Sequence, residues 1–599
     1  MAALLLLCFL AQGPSAPPRT PSLPSTDAAQ PQSSARLEGR VVNLVGDPLR
    51  KATLRLQGLQ TVTPGVPTQT PPMVTNYTAT SDTEGNFVFE EVDPGRYNLT
   101  AERTGYVRTT YGSKGANIVA TPFTLNASQK MTGVLMKMTP QAVIAGKVTD
   151  EDGDPFPGAF VQLYRVGWNQ GRKQLQQMSG SSTLPDGTFM IGNLAAGKYF
   201  LGASNNQMRM VGMRERPGRK GPQEAYVTTY YPNALDSAQA APIEVTAGID
   251  LRGIEIRMRK TRVYRISGRA VHSSGASTSG AVLMLGTAGD LFSFNRAPSF
   301  IRDKEGTFEF QYVLPGTYFI QPQPGGVRSS DGSAPQPMLG RLAVTVGNED
   351  VENLVMTLGP GVEISGQFTL DGVGPLNADA RAKLASGASN TSSATTPSGA
   401  GRLPAIQLMP AEGISFNSPN NQSKEDGSFL MKSISPERYR MTPTGLPEGC
   451  YVKQIRFGGQ DVTRSLLDLT AGSSGQLEIL LSPNAAQIWG VVRNEKGEVA
   501  KDVAVTVWQP VDGQPGAQEF SRMLRTDQNG SFKLANLAPG DYRVIAWEQV
   551  EPGMANDPDF RSKFESKATA VKLQENSRET VEPKLLPFDV IEAEAAKIR

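Results

Sequence analysis

Histidine is almost missing: His272 is the one copy in 599 residues. A zinc site of the metallopeptidase kind needs two His and a Glu around the metal, and one His cannot build it. A Ser–His–Asp triad would have to use His272. That residue precedes Ser273, Ser274 and Gly275, which reads as an exposed hairpin turn. Cysteine is scarce too, with only Cys8 and Cys450. If the N-terminal segment is removed, Cys450 stands alone, so no disulfide framework holds the folded part. After the N-terminus no apolar run approaches 20 residues, so no mature transmembrane span is expected. Neither sign of charge dominates: 59 Lys and Arg against 57 Asp and Glu leave +2. Nothing in that balance calls for nucleic acid or an anionic membrane. These shortages point to a chain that is no enzyme and carries neither a metal nor a cofactor.

Glycine and proline, in contrast, are abundant, at 61 and 44 copies. Together with few long amphipathic stretches, they indicate an all-β protein rich in turns. The strongest signal is one phrase written five times, D-x-x-G-x-F-x-φ followed by P-G-x-Y. Its aromatic pairs are Phe87 and Tyr97, Phe189 and Tyr199, Phe308 and Tyr318, Phe429 and Tyr439, Phe532 and Tyr542, ten residues apart in every copy. Fixed internal spacing with variable gaps between copies means tandem domains rather than a solenoid.

Each copy is preceded by an apolar–Gly–apolar strand centred on Gly39, Gly146, Gly268, Gly366 or Gly490. Glycine at one fixed place in a strand marks a bulge or a close backbone approach. The Asp–Gly pair supplies a turn. Phe87 and Phe89 share a face at period two, and Val92, at an odd offset, places the strand end before it. Tyr97 points inward and needs a partner for its hydroxyl. Six or seven short strands per copy give five tandem antiparallel β-sandwiches of the Ig-like or prealbumin-like kind.

The opening Gly strand and the Phe-to-Tyr phrase resemble the carboxypeptidase regulatory-like domain, a transthyretin-like sandwich. The resemblance spans Leu37 to about Pro587 and implies a fold, not an activity. The stretch Gly449 to Val462 is similar to one common in secreted acidobacterial repeat proteins. The fourth copy departs from the pattern, with Glu437 where the others carry Gly.

The expected organisation is a signal peptide at 1–16, a disordered Pro/Ser linker at 17–34, and sandwiches at 35–140, 141–260, 261–360, 361–484 and 485–588. The fourth carries a flexible insertion at 371–404, and 589–599 is a tail in which Glu592 to Arg599 form a frayed helix. A short helix is expected within Asp557 to Lys567, where Phe560 and Phe564 lie four apart. The apolar run Ala2 to Leu10 reads as a secretory signal, although no Lys or Arg precedes it. Export without disulfides suits a bacterial envelope protein, placed in the periplasm, at the cell surface or outside the cell. Short Pro-bearing joints such as Thr139-Pro140 and Gly359-Pro360 favour a semi-rigid rod.

Ring-stacking candidates for sugars are Tyr106, Tyr111, Tyr226, Tyr230, Tyr231 and Trp168; the competing reading makes the tyrosines covers for the ends of the cores. The basic loop Met208 to Lys220 reads as a solvated loop, and Asp150 to Asp154 as a turn rather than a calcium site. The expected function is a non-catalytic exported scaffold whose partner is an envelope protein or a polysaccharide. The alternatives are a carbohydrate-binding protein and an accessory chain of a secreted carboxypeptidase.

Overall fold

The computed structural model describes residues 34–59, 75–113, 122–169, 171–205, 223–287, 298–323, 338–387, 403–411, 420–472, 475–510 and 520–598. The signal run, nearly all of the 17–34 linker, the basic loop 208–220 and most of 386–401 lie outside these residues.

In the first unit the opening strand Ala35–Val42 is the middle of a three-stranded sheet. It runs antiparallel to Asn86–Val92 and parallel to Lys130–Lys137. The facing sheet is built on Thr53–Leu59 and Gly95–Glu102, paired antiparallel, with Asn76–Thr80 at its edge. The opening strands Ala142–Thr149, Lys260–His272, Val362–Leu370 and Ala486–Val491 repeat this plan. Each lies between an antiparallel Phe-bearing strand and a parallel closing strand. The units are therefore mainly antiparallel sandwiches with one parallel pair at each opening strand, and the fifth has a second, between Gly540–Trp547 and Leu585–Leu586. Among the described residues five separate apolar clusters fill them, one between each pair of sheets.

The recurring residues account for this geometry. A Cβ at Gly39, Gly268, Gly366 or Gly490 would strike the Phe ring of its own unit, and at Gly146 the Ile254 carbonyl. Glycine is thus what lets the aromatic lie flat across the opening strand. The turn Asp accepts backbone N–H groups in every copy, as Asp82 does from Glu84 at 2.9 Å and Asn86 at 2.7 Å. The Asn86 N–H above all holds the Asp82 carboxyl below its usual range. The Tyr hydroxyl donates to the carbonyl four residues back: Tyr97 to Asp93 at 2.7 Å, Tyr199 to Ala195 at 2.9 Å, Tyr318 to Leu314 at 2.8 Å, Tyr439 to Ser435 at 2.9 Å and Tyr542 to Ala538 at 2.8 Å. This is a tyrosine corner repeated in every sandwich.

Four expectations need correction. The Phe strand does not stop before Val92. It runs Asn86–Val92, and a register shift turns Val92 inward to full burial. In the other units the residue before the corresponding apolar position takes a left-handed backbone: Asn193, Tyr312, Ser433 and Asn536, with φ between 57° and 61°. The bulge skips one residue and restores the inward phase. The insertion at 371–404 is built at its start, where Gly374–Pro375 pairs with the opening strand and the helix Ala378–Gly387 follows. Leu376 and Ala380 from it enter the fourth core. The C-terminal tail is helical as expected, but the helix begins earlier, at Phe588–Ile598, and packs rather than frays, with Ile591 and Ala595 buried. His272 is not exposed. The strand Lys260–His272 includes it, and the alternation Tyr264, Ile266, Ala270, His272 points inward, leaving it 6% exposed. Its Nδ1 accepts the Ser274 N–H at 3.2 Å and lies 2.7 Å from Ser274 Oγ.

The rod is also overturned, because the fifth unit folds back onto the second and touches the first. Neighbouring units join first by short-range contacts. Gln141 N–H donates to the Gly105 carbonyl and Gly248 N–H to the Pro140 carbonyl between units one and two. The strand Lys260–His272 pairs through its first residues with Gln223–Tyr226, so units two and three share a strand. The Asn536 side chain accepts the Gly449 N–H and donates to the Pro447 carbonyl, both at 3.1 Å, between units four and five. The closing contact is described next.

Candidate functional site

The second unit differs from its siblings in one element. Its hairpin Ala159–Asn169 and Arg172–Ser182 has strands of 11 residues. The strands at the first arm's place elsewhere have 7, 6, 6 and 5, in Thr53–Leu59, Val282–Thr287, Ala405–Pro410 and Ala504–Trp508. At 3.2–3.4 Å per residue the surplus reaches roughly 13–20 Å beyond the others. The inward residues Val161 and Leu163 belong to the second core, while Val166 and Trp168 leave on the opposite face. That face lies on the fifth unit, against Trp508, Ile545, Trp547, Met554, Phe560 and Phe564 in one apolar cluster.

Polar contacts fix the register of this arm in its socket. Trp168 Nε1–H donates to Asp557 Oδ2 at 2.6 Å, both residues being buried. Asp557 also caps the helix Pro558–Ser562 by accepting the Asp559 N–H at 2.9 Å. Phe560 stacks on Trp547 with centroids 5.9 Å apart, and Phe564 meets the same indole edge-on at 5.3 Å. Arg561 is 1% exposed, lies over Trp508 at 5.2 Å and donates to Ser521 Oγ and the Ala555 carbonyl. Lys198 of the second unit donates to the Ala596 carbonyl in the C-terminal helix. Towards the first unit, Arg96 pairs with Asp502 at 3.7 Å and Gln549 donates to the Gly112 carbonyl. The short helix expected around Phe560 is therefore present, and it serves the joint as well as its own sandwich. Trp168, offered as a sugar-stacking ring, is corrected: it is 5% exposed and held by Asp557 and the fifth unit.

The five tyrosines are half-buried and fall into two groups. Tyr106 and Tyr111 pack on the first core, Tyr226 and Tyr231 on the second. Arg103 lies over Tyr106 at 5.0 Å, and Tyr111 meets Phe123 edge-on at 5.5 Å. Tyr226 meets Phe156 at 4.9 Å and is covered by Lys260 at 4.7 Å. Tyr230 tilts against Tyr164 at 6.0 Å. The two groups belong to different sandwiches. The acidic loop behaves as a turn, with Asp150 Oδ1 accepting the Asp152 and Asp154 N–H groups. Asn43 and Asn494 build the same turn without charge. Among the described residues no group of three or more His, Cys, Asp or Glu is placed to hold a metal ion.

Glu437, the departure in the fourth phrase, makes the joint between units three and four. Its carboxylate pairs with Arg341 at 3.0 Å and accepts the Tyr439 hydroxyl at 3.1 Å. Arg341 also lies 4.2 Å over the Phe319 ring. Burial outweighs the pull of Arg341 and keeps the carboxyl above its usual range. Cys450 is fully buried in the fourth core, and burial pushes its thiol up to about 11.

The outer faces of the three-stranded sheets carry the variety. At the place between the two inward residues of the Phe strand the five units present Val88, Met190, Glu309, Leu430 and Lys533. Val88, Met190 and Leu430 are exposed at 37%, 66% and 41%. Glu309 pairs with Arg265 at 3.3 Å. Lys533 lies 4.9 Å over Trp489, an exposed residue of the opening strand. Sequence reading missed Trp489 as a surface residue, although Ile488 pointing inward was the signal for it.

Residues 36–136 match the carboxypeptidase regulatory-like domain family, so the chain carries such a domain as its first sandwich. No curated protein matches the chain. Among solved structures the chain is similar to a streptococcal ancillary pilin, at 12% identity over 55% of this chain and 99% of that one, TM-score 0.17. It is also similar to the minor pilin of Streptococcus agalactiae, at 14% identity over 38% and 97%, TM-score 0.20. The major pilin subunit of Bacillus cereus follows at 10% identity over 55% and 99%, TM-score 0.14. Overlap of this extent carries nothing about function. Among the described residues no helix is long and apolar enough to cross a membrane.

Proposed function

We propose that the chain is a non-catalytic structural or interaction scaffold that works outside the cytoplasm, in the cell envelope. One observation carries this reading: the cores repeat while the outer faces do not. The Phe–Tyr framework is kept five times, whereas the residue at one outward register position changes from Val88 to Met190, Glu309, Leu430 and Lys533. Five similar bodies with five different faces, tied by inter-unit contacts, suit the holding of several surfaces in fixed relation. Exposed apolar groups of this kind mark contact sites when they cluster. The apolar start of the chain supports export.

The test is to tag the chain in its host, fractionate the cells and crosslink. The expected outcome is recovery from the envelope or the culture fluid in assemblies larger than the monomer. Recovery from the cytosol as a monomer with no crosslinked partner would overturn the proposal.

A further inference from the structure

Trp489 is exceptional among the four tryptophans. Trp168, Trp508 and Trp547 are at most 5% exposed and share one cluster, whereas Trp489 is 46% exposed. It stands in the middle strand of the fifth unit's three-stranded sheet, opposite Lys533 on one side and Thr580 on the other. Neighbours on the same face are Gln487 and Arg578, paired with each other one step along. Ile488, between Gln487 and Trp489, is fully buried, so the pleat commits the indole to the outside. An exposed indole on a middle strand keeps a large apolar surface in water, and that surface invites a ligand.

The charge at this place has a sign. Lys533 holds its ammonium 4.9 Å from the indole centroid. Glu448 of the fourth unit reaches it at 3.6 Å while remaining 68% exposed. Arg578, exposed on the far side, adds a second cation to the face. The strand that carries Lys533 is tied to the fourth unit, where Asn536 binds Gly449 and Pro447, and Tyr451 of that unit donates to Glu575 of the fifth at 3.0 Å. The result is an open indole with Lys533 over it and Arg578 one register step away on the same face.

From this juxtaposition we propose that Trp489, Lys533 and Arg578 form a binding site for an acidic sugar chain. The apolar CH face of a pyranose ring lies on the open part of the indole. The carboxylate of a uronic acid is taken by Lys533, in exchange with Glu448, and by Arg578 when the chain extends along the strand. A flat open face suits a sugar ring better than a peptide, which needs a groove or a free strand edge for its backbone. The site is independent of the scaffold reading, since it concerns one face of one unit.

Binding of the full chain to oligogalacturonate, followed by titration calorimetry at low salt, tests this. Trp489→Ala is expected to weaken binding at least tenfold, with Trp489→Tyr restoring part of it. Lys533→Gln is expected to weaken it several-fold, and added salt to do the same. Glu448→Gln removes the competing carboxylate and is expected to tighten binding, a change of opposite sign that loss of folding cannot imitate. Fully methyl-esterified oligomer, which keeps the ring and loses the charge, binds more weakly. No binding by the wild-type chain, or binding unchanged in Trp489→Ala, would overturn the proposal. So would equal affinity for polyglutamate, which would reduce the site to a charged patch for acidic peptides.

Discussion

The tyrosine hydroxyls act alike in all five units but not with equal consequence. Tyr318 gives its proton to the Leu314 carbonyl, whereas Tyr439 reaches both the Ser435 carbonyl and the Glu437 carboxylate. Tyr318→Phe is expected to cost about 1 kcal/mol, and Tyr439→Phe more, because two acceptors lose the same hydroxyl. Denaturant unfolding of the full chain measures both. Glu437 also gives a pH signature. Its folded value is raised by burial, so the folded chain holds this proton more tightly than the unfolded one. The stabilisation is complete below the ordinary glutamate range and is lost as pH rises through the raised value. From the ordinary glutamate range upward, until the raised value is passed, the thermal midpoint of the wild type should fall relative to that of Glu437→Gln. A constant difference across that range would show that Glu437 does not titrate there.

Among the elements, the long hairpin of the second unit is the one that changes the architecture. Trp168→Ala removes the ring that fills the socket and its bond to Asp557, a loss of about 3–5 kcal/mol at the joint. The expected result is a larger radius of gyration by small-angle scattering and a separate early unfolding step for the fifth unit. Unchanged scattering would mean that the remaining contacts close the joint without it. The sandwiches themselves were legible because period-two alternation and the Phe-to-Tyr spacing report local geometry. The bulge before Val92 was not, since Glu91 bears no mark of it and only Asn193 and Asn536 elsewhere are residue types that favour a left-handed backbone. Trp168 was visible as an aromatic but not as a joint. Its partner Asp557 lies 389 residues away, and no local pattern encodes a contact of that separation.

At the scale of the whole molecule, the joints make the five sandwiches a closed body rather than a row. Tandem units with nearest-neighbour contacts alone would gain stability as a simple sum. Here the second and fifth are also coupled, so a loss at one is felt at the other. The candidate surfaces follow the same division: the crossover tyrosines are half-buried on two separate sandwiches, and Trp489 became visible only when the pleat placed it outside. The closure also gives the protein a timetable. A ribosome adding about 5–20 residues per second needs roughly 20–80 s to travel from Trp168 to Asp557. Throughout that interval the apolar side of the hairpin waits bare, attractive to a chaperone or to the nascent chain of a neighbouring ribosome. A chain cut short before its last unit would keep that side uncovered permanently, and so would advertise its own incompleteness to the quality-control machinery of the cell.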